Sequence, residues 1–352
     1  MIQYQEYIEL LELLISIPSF SGNEEQTADC IADFLEKKGI IVERHIHNIY
    51  ARNSRFSEDL PTLLLNSHHD TVKPNQGYTR DPFEPFIEND RLYGLGSNDA
   101  GGSLIALLAT FCHYHDAELP FNLIFAATAE EEISGRNGIE SILPRIGNID
   151  CGIVGEPTGM QIAIAERGLL VLDCTVYGTA SHAAYGSDDS ALYKAMEDIH
   201  FIKNHSFEKS CAFLGKTTMN VTMINAGMQH NIIPDKCTYV IDIRMNAEYK
   251  PEEIIETLQS HLHAEIKPRS LRLRPSLIEQ THPLIQAGNA MQIPLYASMT
   301  MSDQALMNFP TIKLGPGDSN RSHTADEFIY LHEIHQGIDK YIDFLSILQD
   351  IQ

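Results

Sequence analysis

Histidines and carboxylates follow four apolar segments of the chain, and these residue types bind divalent cations and transfer protons. The segments 62–66, 121–127, 151–154 and 310–314 each have the composition of a buried strand. The polar residues that follow them are His68, His69 and Asp70; Glu130, Glu131 and Glu132; Glu156; and His323. Because ligands of open α/β sheets bind beyond the carboxyl ends of the strands, we expect the four groups to meet in one crevice.

The spacing of His68 and Asp70 suits a metal ligand with its supporting carboxylate. An imidazole that binds a metal usually donates its other N–H to a carboxylate or a carbonyl, which fixes the tautomer. His69 should point away from the other two, so we do not expect it to be a ligand. Taken alone, the same three residues are also typical of a solvated polar loop.

The glycine-rich segment 94–102 contains Asp99 and precedes a predicted helix at 104–115. Such a turn can bind phosphate at a helix N-terminus, but no lysine follows it and Asp99 would repel an anion. We therefore reject a nucleotide site. The glycines can instead bring Asp99 close to cations, although a simple helix cap is equally compatible with the segment.

Glu130, Glu131 and Glu132 directly follow a predicted strand, so one can bind a metal while its neighbour acts as a general base. Each polar group also has an ordinary structural interpretation. Consecutive carboxylates are common in the first turn of a helix, Glu156 can cap a loop, and His323 can precede a helix. A metal pair is the interpretation that explains all of them together.

The elements that must position these residues follow the pattern of an α/β protein. Helices are predicted at about 4–16, 24–38, 104–115 and 331–348, and Ser21 to Glu24 has the spacing of a capping box. Between 167 and 277 partly alternating strands replace the continuous apolar ones. The sequence therefore predicts a mostly parallel sheet domain over 1–166 and 278–352, with a smaller α+β domain inserted at 167–277.

Composition narrows the class of protein. The chain has 352 residues, 43% hydrophobic and 21% charged, which is enough to build about two folded domains. Its formal net charge of −23 disfavours nucleic-acid binding, and metal cations at the carboxylates would cancel part of that charge. No apolar stretch is long enough to span a bilayer, no signal peptide is evident, and the six cysteines form no C-x-x-C pair. We therefore expect a cytoplasmic protein with reduced, buried thiols.

The ordered motifs resemble those of the zinc amidohydrolases that include acetylornithine deacetylase, succinyl-diaminopimelate desuccinylase, aminoacylase and glutamate carboxypeptidase. The resemblance covers nearly the whole chain. It is carried by His68-x-Asp70, Gly96-x-x-Asp99, residues 128–132, residues 155–158, and Gly315-Pro316-Gly317 with His323. One small departure is Glu130, where the family usually has Asp; we interpret Glu130 as solvated or as a supporting neighbour of the ligands.

The resemblance implies a role for each of these residues. His68 and Glu156 would hold one zinc ion, Glu132 and His323 the other, and Asp99 would bridge them. Asp70 would orient His68, Glu131 would be the general acid–base, and a cis peptide would follow Asp99. Cobalt or manganese can replace zinc in such a mixed histidine and carboxylate site.

The inserted segment resembles the lid and dimerisation domain of the same family. The resemblance implies a homodimer formed through this domain, in which His182 stabilises the oxyanion, with the possibility that it does so in the partner's active site. Asn231 and Arg244 match segments that contact the substrate carboxylate in relatives. Ordinary loop or strand-surface roles remain alternatives for all three residues.

The resemblance also implies a small-molecule N-acyl amino acid as substrate. Residues 315–317 and 302–303 are most similar to deacetylases, so we expect hydrolysis of N-acetylornithine to ornithine and acetate in arginine biosynthesis. N-acetylcitrulline, N-succinylornithine, acetyl-lysine and succinyl-diaminopimelate are the alternatives. Two other classes stay open: a di-zinc dipeptidase or carboxypeptidase, and a non-catalytic relative, which the complete ligand set disfavours.

Overall fold

The computed structural model describes residues 3–351, which form two compact units. The first unit contains the chain up to Ile164, Leu277–Tyr296 and the residues from Ser302 onward. The second contains Ala165–Ser276 and Ala297–Met301. The segment 297–301 was expected in the first domain. Three of these boundaries fall inside strands, so no break in the chain's strand pattern marks them; the strands are Ile162–Glu166, Ser276–Leu277 and Leu295–Ser298.

The helices alternate with strands through most of the chain. They are α1 Tyr4–Ile15, α2 Glu25–Lys37, α3 Gly102–Tyr114, α4 Ile139–Ile146, α5 Ala191–Asn204, α6 Pro251–Gln259, α7 Pro283–Ala290 and α8 Leu331–Ile351. The strands up to the second unit are β1 Val42–His45, β2 Asn48–Arg52, β3 Thr62–His68, β4 Phe86–Glu88, β5 Arg91–Tyr93, β6 Asn122–Thr128, β7 Cys151–Val154 and β8 Ile162–Glu166. The remaining strands are β9 Gly168–Tyr177, β10 Ser181–His182, β11 Ser210–Cys211, β12 Gly215–Lys216, β13 Thr218–Ala226, β14 Ile232–Ile233, β15 Lys236–Met245, β16 Glu265–Pro268, β17 Ser276–Leu277, β18 Leu295–Ser298, β19 Thr311–Lys313 and β20 Phe328–Tyr330.

The central sheet of the first unit has the order β1-β2-β6-β3-β7-β19-β8-β17, with β18 also paired to β8. Its middle strands β6, β3, β7 and β19 run parallel, while β2 and β8 flank them in antiparallel pairs. Every residue of these four middle strands is buried, which explains their continuous apolar sequences. The predicted α/β class with a mostly parallel sheet is confirmed.

Helix α3 anchors the sheet to the Asp99 loop. Leu104, Ile105, Leu107 and Leu108 are at most 1% exposed, and the helix packs against β3, β6 and α8. A helix that is apolar on all sides is fixed in place by its neighbours. The loop that enters it is therefore fixed at its C-terminal end.

The capping box predicted at Ser21–Glu24 is not formed. Helix α2 begins at Glu25, and its N-cap residue Glu24 makes no side-chain cap. The Ser21 hydroxyl instead donates to Asp70 Oδ2 at 2.7 Å, and Glu24 Oε1 accepts from the N–H of Gly22 at 2.6 Å. The prediction was wrong because a buried carboxylate distant in sequence competes for the serine.

The second unit is an antiparallel sheet covered by helices. Its strands have the order β13-β15-β9-β16, and α5 packs against β13, β15 and β9. Residues of β9 and β15 alternate between buried and partly exposed positions, so one face forms the core. The buried face includes Leu170, Leu172, Tyr239 and Ile241.

Two general expectations concern thiols and membranes. All six cysteines are free; four are buried, whereas Cys30 and Cys112 are partly exposed, so the expectation of buried thiols was too broad. Among residues 3–351, no helix combines the length and apolar character that crossing a bilayer requires.

Candidate active site

The ends of the parallel strands bring the predicted ligands of the first unit together. His68 is the last residue of β3, and Glu131 and Glu132 follow β6 in a short 3₁₀ turn. Glu156 follows β7 by two residues. Two sets of these side chains have ligand atoms within 4.8 Å of one another: His68 with Glu131 and Glu156, and His68 with Asp99 and Glu132.

His68 is 1% exposed and is surrounded by oxygen atoms. Its Nδ1 lies 3.0 Å from the backbone carbonyl of Asp70 and 3.4 Å from that residue's carboxylate, so the carbonyl is the nearer acceptor of the two. Its Nε2 has no hydrogen-bond partner and lies 3.4 Å from Asp99 Oδ1. Burial opposes protonation, but the nearby carboxylates of Asp70 and Asp99 and the charges of Glu131 and Glu156 raise the pKa of His68 well above its usual value.

Asp99 lies between the two histidines. Its Oδ1 is 3.4 Å from His68 Nε2, and its Oδ2 is 3.6 Å from His323 Nε2. The Asp99–Ala100 peptide bond is cis, as the resemblance implies. Glu327 fixes the backbone of this loop, because its Oε1 accepts hydrogen bonds from the backbone N–H groups of Asn98 and Asp99, both at 2.9 Å.

His323 and Glu132 face each other on the other side of Asp99. His323 Nε2 lies 3.0 and 3.1 Å from the two carboxylate oxygens of Glu132. The hydrogen bond that His323 donates to Glu132 is the main reason that the pKa of His323 is raised to about 9, although partial burial opposes the rise. The positive charge of protonated His323 and the negative charge of Glu132 therefore compensate each other in this ion pair.

Glu131 is held by its backbone, and its side chain is only 13% exposed. Its N–H donates to Asp70 Oδ1 at 3.0 Å, and its carboxylate lies 3.9 Å from His68 Nε2. Burial raises the pKa of Glu131 well above its usual value, and the nearby carboxylates of Glu156 and Asp303 add to the rise, while His68 opposes it. Burial likewise raises the pKa of Glu156 to about 8. Both carboxyls therefore favour the protonated form more than an exposed glutamate does.

The residues present fit divalent cations. The cluster concentrates buried carboxylates around two imidazoles, and His68 directs an unbonded nitrogen at three of the carboxylates. A charge imbalance of this kind is costly unless a cation compensates it. Imidazole nitrogen and carboxylate oxygen are the donors that zinc and similar metals use in hydrolytic sites.

Two neighbours of the predicted ligands have structural roles. His69 is buried, with Nδ1 at 2.9 Å from the Thr27 hydroxyl and Nε2 at 3.0 Å from the carbonyl of His47, so it points away from the cluster. Glu130 is 8% exposed and accepts from the backbone and side-chain amides of Asn137 at 3.1 and 2.8 Å. Neither side chain belongs to the metal-binding groups.

Sequence reasoning missed two buried acids beside the cluster. Asp303 accepts from Asn66 Nδ2 and Thr128 Oγ1, both at 2.8 Å, and burial raises its pKa to about 6. Glu327 is 1% exposed, and burial raises its pKa to about 8. Neither acid belongs to the four polar groups that follow the apolar segments. The only sequence signals for them were that Asp303 is adjacent to Ser302 and that Glu327 is close to His323.

The other predicted residues lie in the second unit. His182 is exposed, and its Nδ1 accepts the N–H of Ala184 at 3.1 Å, so the neutral ring carries its proton on Nε2. Asn231 is adjacent, since its carbonyl accepts the N–H of Ala183 at 3.0 Å. Arg244 lies apart on β15, where its Nε and Nη2 donate to Asp242 at 2.8 and 3.0 Å.

Comparison with known proteins gives the family. Residues 64–346 match the model of peptidase family M20/M25/M40, a span that includes every predicted ligand. The chain belongs to this family. It is therefore a metal-dependent hydrolase of amide or peptide bonds.

Individual M20 relatives differ in the reactions for which they are named. An acetylornithine deacetylase from Edwardsiella ictaluri is 27% identical, over 93% of this chain and 94% of its own. A succinyl-diaminopimelate desuccinylase from Wolbachia pipientis is 28% identical, over 69% of this chain and 66% of its own. A dinuclear metal-binding M20 peptidase from Bacillus subtilis shares the fold, with a TM-score of 0.75 at 15% identity over 99% and 98% of the two chains.

Proposed function

We propose that this M20 hydrolase cleaves the amide bond of N-acyl amino acids with two zinc ions. His68 and Glu156 would hold one ion, His323 and Glu132 the other, and Asp99 would bridge them. The observation that supports this division is the position of Asp99, with one oxygen 3.4 Å from His68 and the other 3.6 Å from His323. Bound zinc would polarise the acyl carbonyl and lower the pKa of the attacking water.

Glu131 is the proposed general acid–base. It takes a proton from the attacking water and returns it to the leaving nitrogen. Its burial supports this role, because a carboxyl with a raised pKa holds the proton between the two steps. Asp70 positions Glu131 by accepting its backbone N–H and positions His68 by its contact with Nδ1.

Residues of the second unit would bind the rest of the substrate. His182 would donate its Nε2–H to the oxyanion, in its own site or in that of a partner subunit. Arg244 and Asn231 would bind the substrate carboxylate. The pair that Arg244 makes with Asp242 uses Nε and Nη2, so Nη1 is the donor that we assign to the substrate.

N-acetylornithine is the proposed substrate, with ornithine and acetate as products in arginine biosynthesis. The relative named acetylornithine deacetylase supports this substrate, since the similarity extends over nearly the whole length of both chains.

The test is amine release from a substrate panel by the zinc-loaded protein, with and without chelator. The panel contains N-acetylornithine, N-acetylcitrulline, acetyl-lysine, N-succinylornithine, succinyl-diaminopimelate and several dipeptides. We expect chelator-sensitive release, fastest from N-acetylornithine. Preference for a succinyl compound would contradict the proposed acyl group, and no release from any acyl amino acid would contradict the reaction.

A di-zinc dipeptidase or carboxypeptidase is the second candidate, favoured by the peptidase description of the family. It uses the same residues on a peptide bond. Release from dipeptides alone in the same panel would establish it in place of the deacylase.

We further propose that the protein is a cytoplasmic homodimer formed through the second unit. The six free cysteines support a reducing compartment. Strand β13 lies at the end of its sheet in the described part of the chain, and its Met223 and Ile224 are 55% and 48% exposed. An open edge with apolar side chains suits pairing with a second copy. Ile224→Arg should convert the dimer to a monomer in light scattering, and a wild-type monomer would contradict the proposal.

A further inference from the structure

The N-terminal turn of residues 19–27 docks onto the loop that follows β3. The turn contacts three successive residues of that loop, 69–71. The Thr27 hydroxyl lies 2.9 Å from His69 Nδ1, the Ser21 hydroxyl donates to Asp70 Oδ2 at 2.7 Å, and the N–H of Thr71 donates to the carbonyl of Ser19 at 2.9 Å. The turn is therefore attached to the loop beside His68 through both side chains and backbone.

The carboxylate of Asp70 connects this turn to the loop after β6. Its Oδ1 accepts the N–H of Glu131 at 3.0 Å, and its Oδ2 accepts that of Glu132 at 3.2 Å as well as the Ser21 hydroxyl. Asp70 is 1% exposed, so water cannot replace a lost donor without rearrangement. The Ser21 hydroxyl thus helps to fix the carboxylate that holds both glutamates.

Glu24 makes a second, direct connection from the same turn. It is fully buried, and its Oε1 accepts the N–H of Gly22 at 2.6 Å and the N–H of Glu130 at 3.2 Å. Glu130 has a positive φ of 55°, a conformation that a non-glycine residue adopts only when its surroundings hold it. The loop after β6 is thus held at Glu130 by Glu24 and at the next two residues by Asp70.

We propose that Ser21 and Glu24 are positioning residues of the hydrolytic site, which act on Glu131 and Glu132 through Asp70 and Glu130. They touch neither substrate nor cation. They restrict the backbone from which the general acid–base and one ligand project. The effect on turnover rests on the proposed function, whereas the effect on zinc binding through Glu132 does not.

The test compares Ser21→Thr with Ser21→Val. These side chains have nearly the same shape, but only threonine retains the hydroxyl. We expect Ser21→Val to weaken zinc binding, measured by competition with a chromophoric chelator, by about 10-fold or more. We expect it also to lower kcat by about 10-fold with KM changed less than about 2-fold, whereas Ser21→Thr recovers most of both losses.

The matched control is Ser16→Ala, which removes an exposed hydroxyl bonded to the carbonyl of Leu13 and should change neither quantity. A second pair of variants tests Glu24. Glu24→Gln keeps an accepting side-chain oxygen, whereas Glu24→Met removes it, so only the methionine variant should lose zinc affinity and kcat. Thermal melting identifies any variant that fails to fold.

The outcomes separate this proposal from the proposed function. Wild-type zinc affinity and turnover in Ser21→Val, or equal losses in the threonine and valine variants, would overturn the positioning role. If wild type hydrolyses nothing in the panel, the proposed function fails, and the zinc-affinity comparison still decides whether Ser21 positions the site.

Discussion

At the scale of single residues, the adjacent histidines at the end of β3 have opposite environments. Nε2 of His68 has no hydrogen-bond partner and faces carboxylates, whereas both nitrogens of His69 are bonded to the protein. Burial lowers the pKa of His69 to about 4, so it remains neutral and structural. The pair therefore offers a matched comparison of a ligand with a core residue.

His68→Gln should lose about one zinc ion per chain and at least about 100-fold in turnover, because the variant lacks the imidazole donor. His69→Gln should keep both ions but lose about 1–3 kcal/mol of unfolding free energy through its disturbed buried hydrogen bonds. Metal analysis and denaturant unfolding measure the two effects. Loss of zinc in His69→Gln with normal content in His68→Gln would reverse the assignment.

At the scale of elements, the loop that carries His323 is held at both ends. Before it, Arg321 Nη2 donates to both carboxylate oxygens of Glu333 in α8, at 2.8 and 2.9 Å, and Glu333 also accepts the N–H of Tyr330 at 3.1 Å. After it, the Asp326 carboxylate accepts from the backbone of Thr79 at 2.8 Å. These contacts determine where a ligand on an otherwise exposed loop is placed.

Glu333→Gln should therefore weaken zinc binding by about 10-fold, because it loosens the Arg321 end of this loop. Chelator competition measures the change. The control is Asp173→Asn, which disrupts the pair between Asp173 and Arg269 in the second unit. Equal zinc affinities in the two variants would contradict a positioning role for the loop contacts.

Local sequence patterns predicted the main helices and strands and most of the candidate cluster. Buried strands are recognisable as continuous apolar segments, and the candidate ligands directly follow these segments in the chain. The contacts of Ser21, Asp303 and Glu327 could not be predicted in this way. Each is formed with residues distant in the chain, and the capping-box pattern at Ser21 even favoured a different bond. The assignment of 297–301 to the second unit could not be predicted either, because the chain enters this segment within strand β18.

At the scale of the whole molecule, the buried acids link folding to pH. Burial raises the pKa of Asp303 to about 6 and of Glu156 and Glu327 to about 8. The metal-free folded chain thus binds more protons than the unfolded chain, and its stability falls as pH rises from about 4 to 8. His323 acts in the same direction, since its contribution is present below pH 6.5 and is lost as pH rises through about 9.

Zinc binds the deprotonated ligands, so its stabilising effect should grow across the same range. With free zinc about 100-fold above its Kd at pH 8, the linkage contributes about 2.7 kcal/mol. We expect zinc to raise Tm by about 3–5 °C at pH 8 and by less at pH 5.5. Thermal melting of loaded and chelated protein at both pH values measures this, and an equal rise at both would contradict it.

Turnover and zinc content of Glu131→Gln, measured beside wild type, decide whether Glu131 transfers the proton. Glutamine keeps the size of the side chain but cannot accept and return the proton. We expect two zinc ions per chain in both proteins and a loss of at least about 100-fold in kcat for the variant. Near-normal turnover with both ions bound would contradict the role of Glu131 and the mechanism built on it.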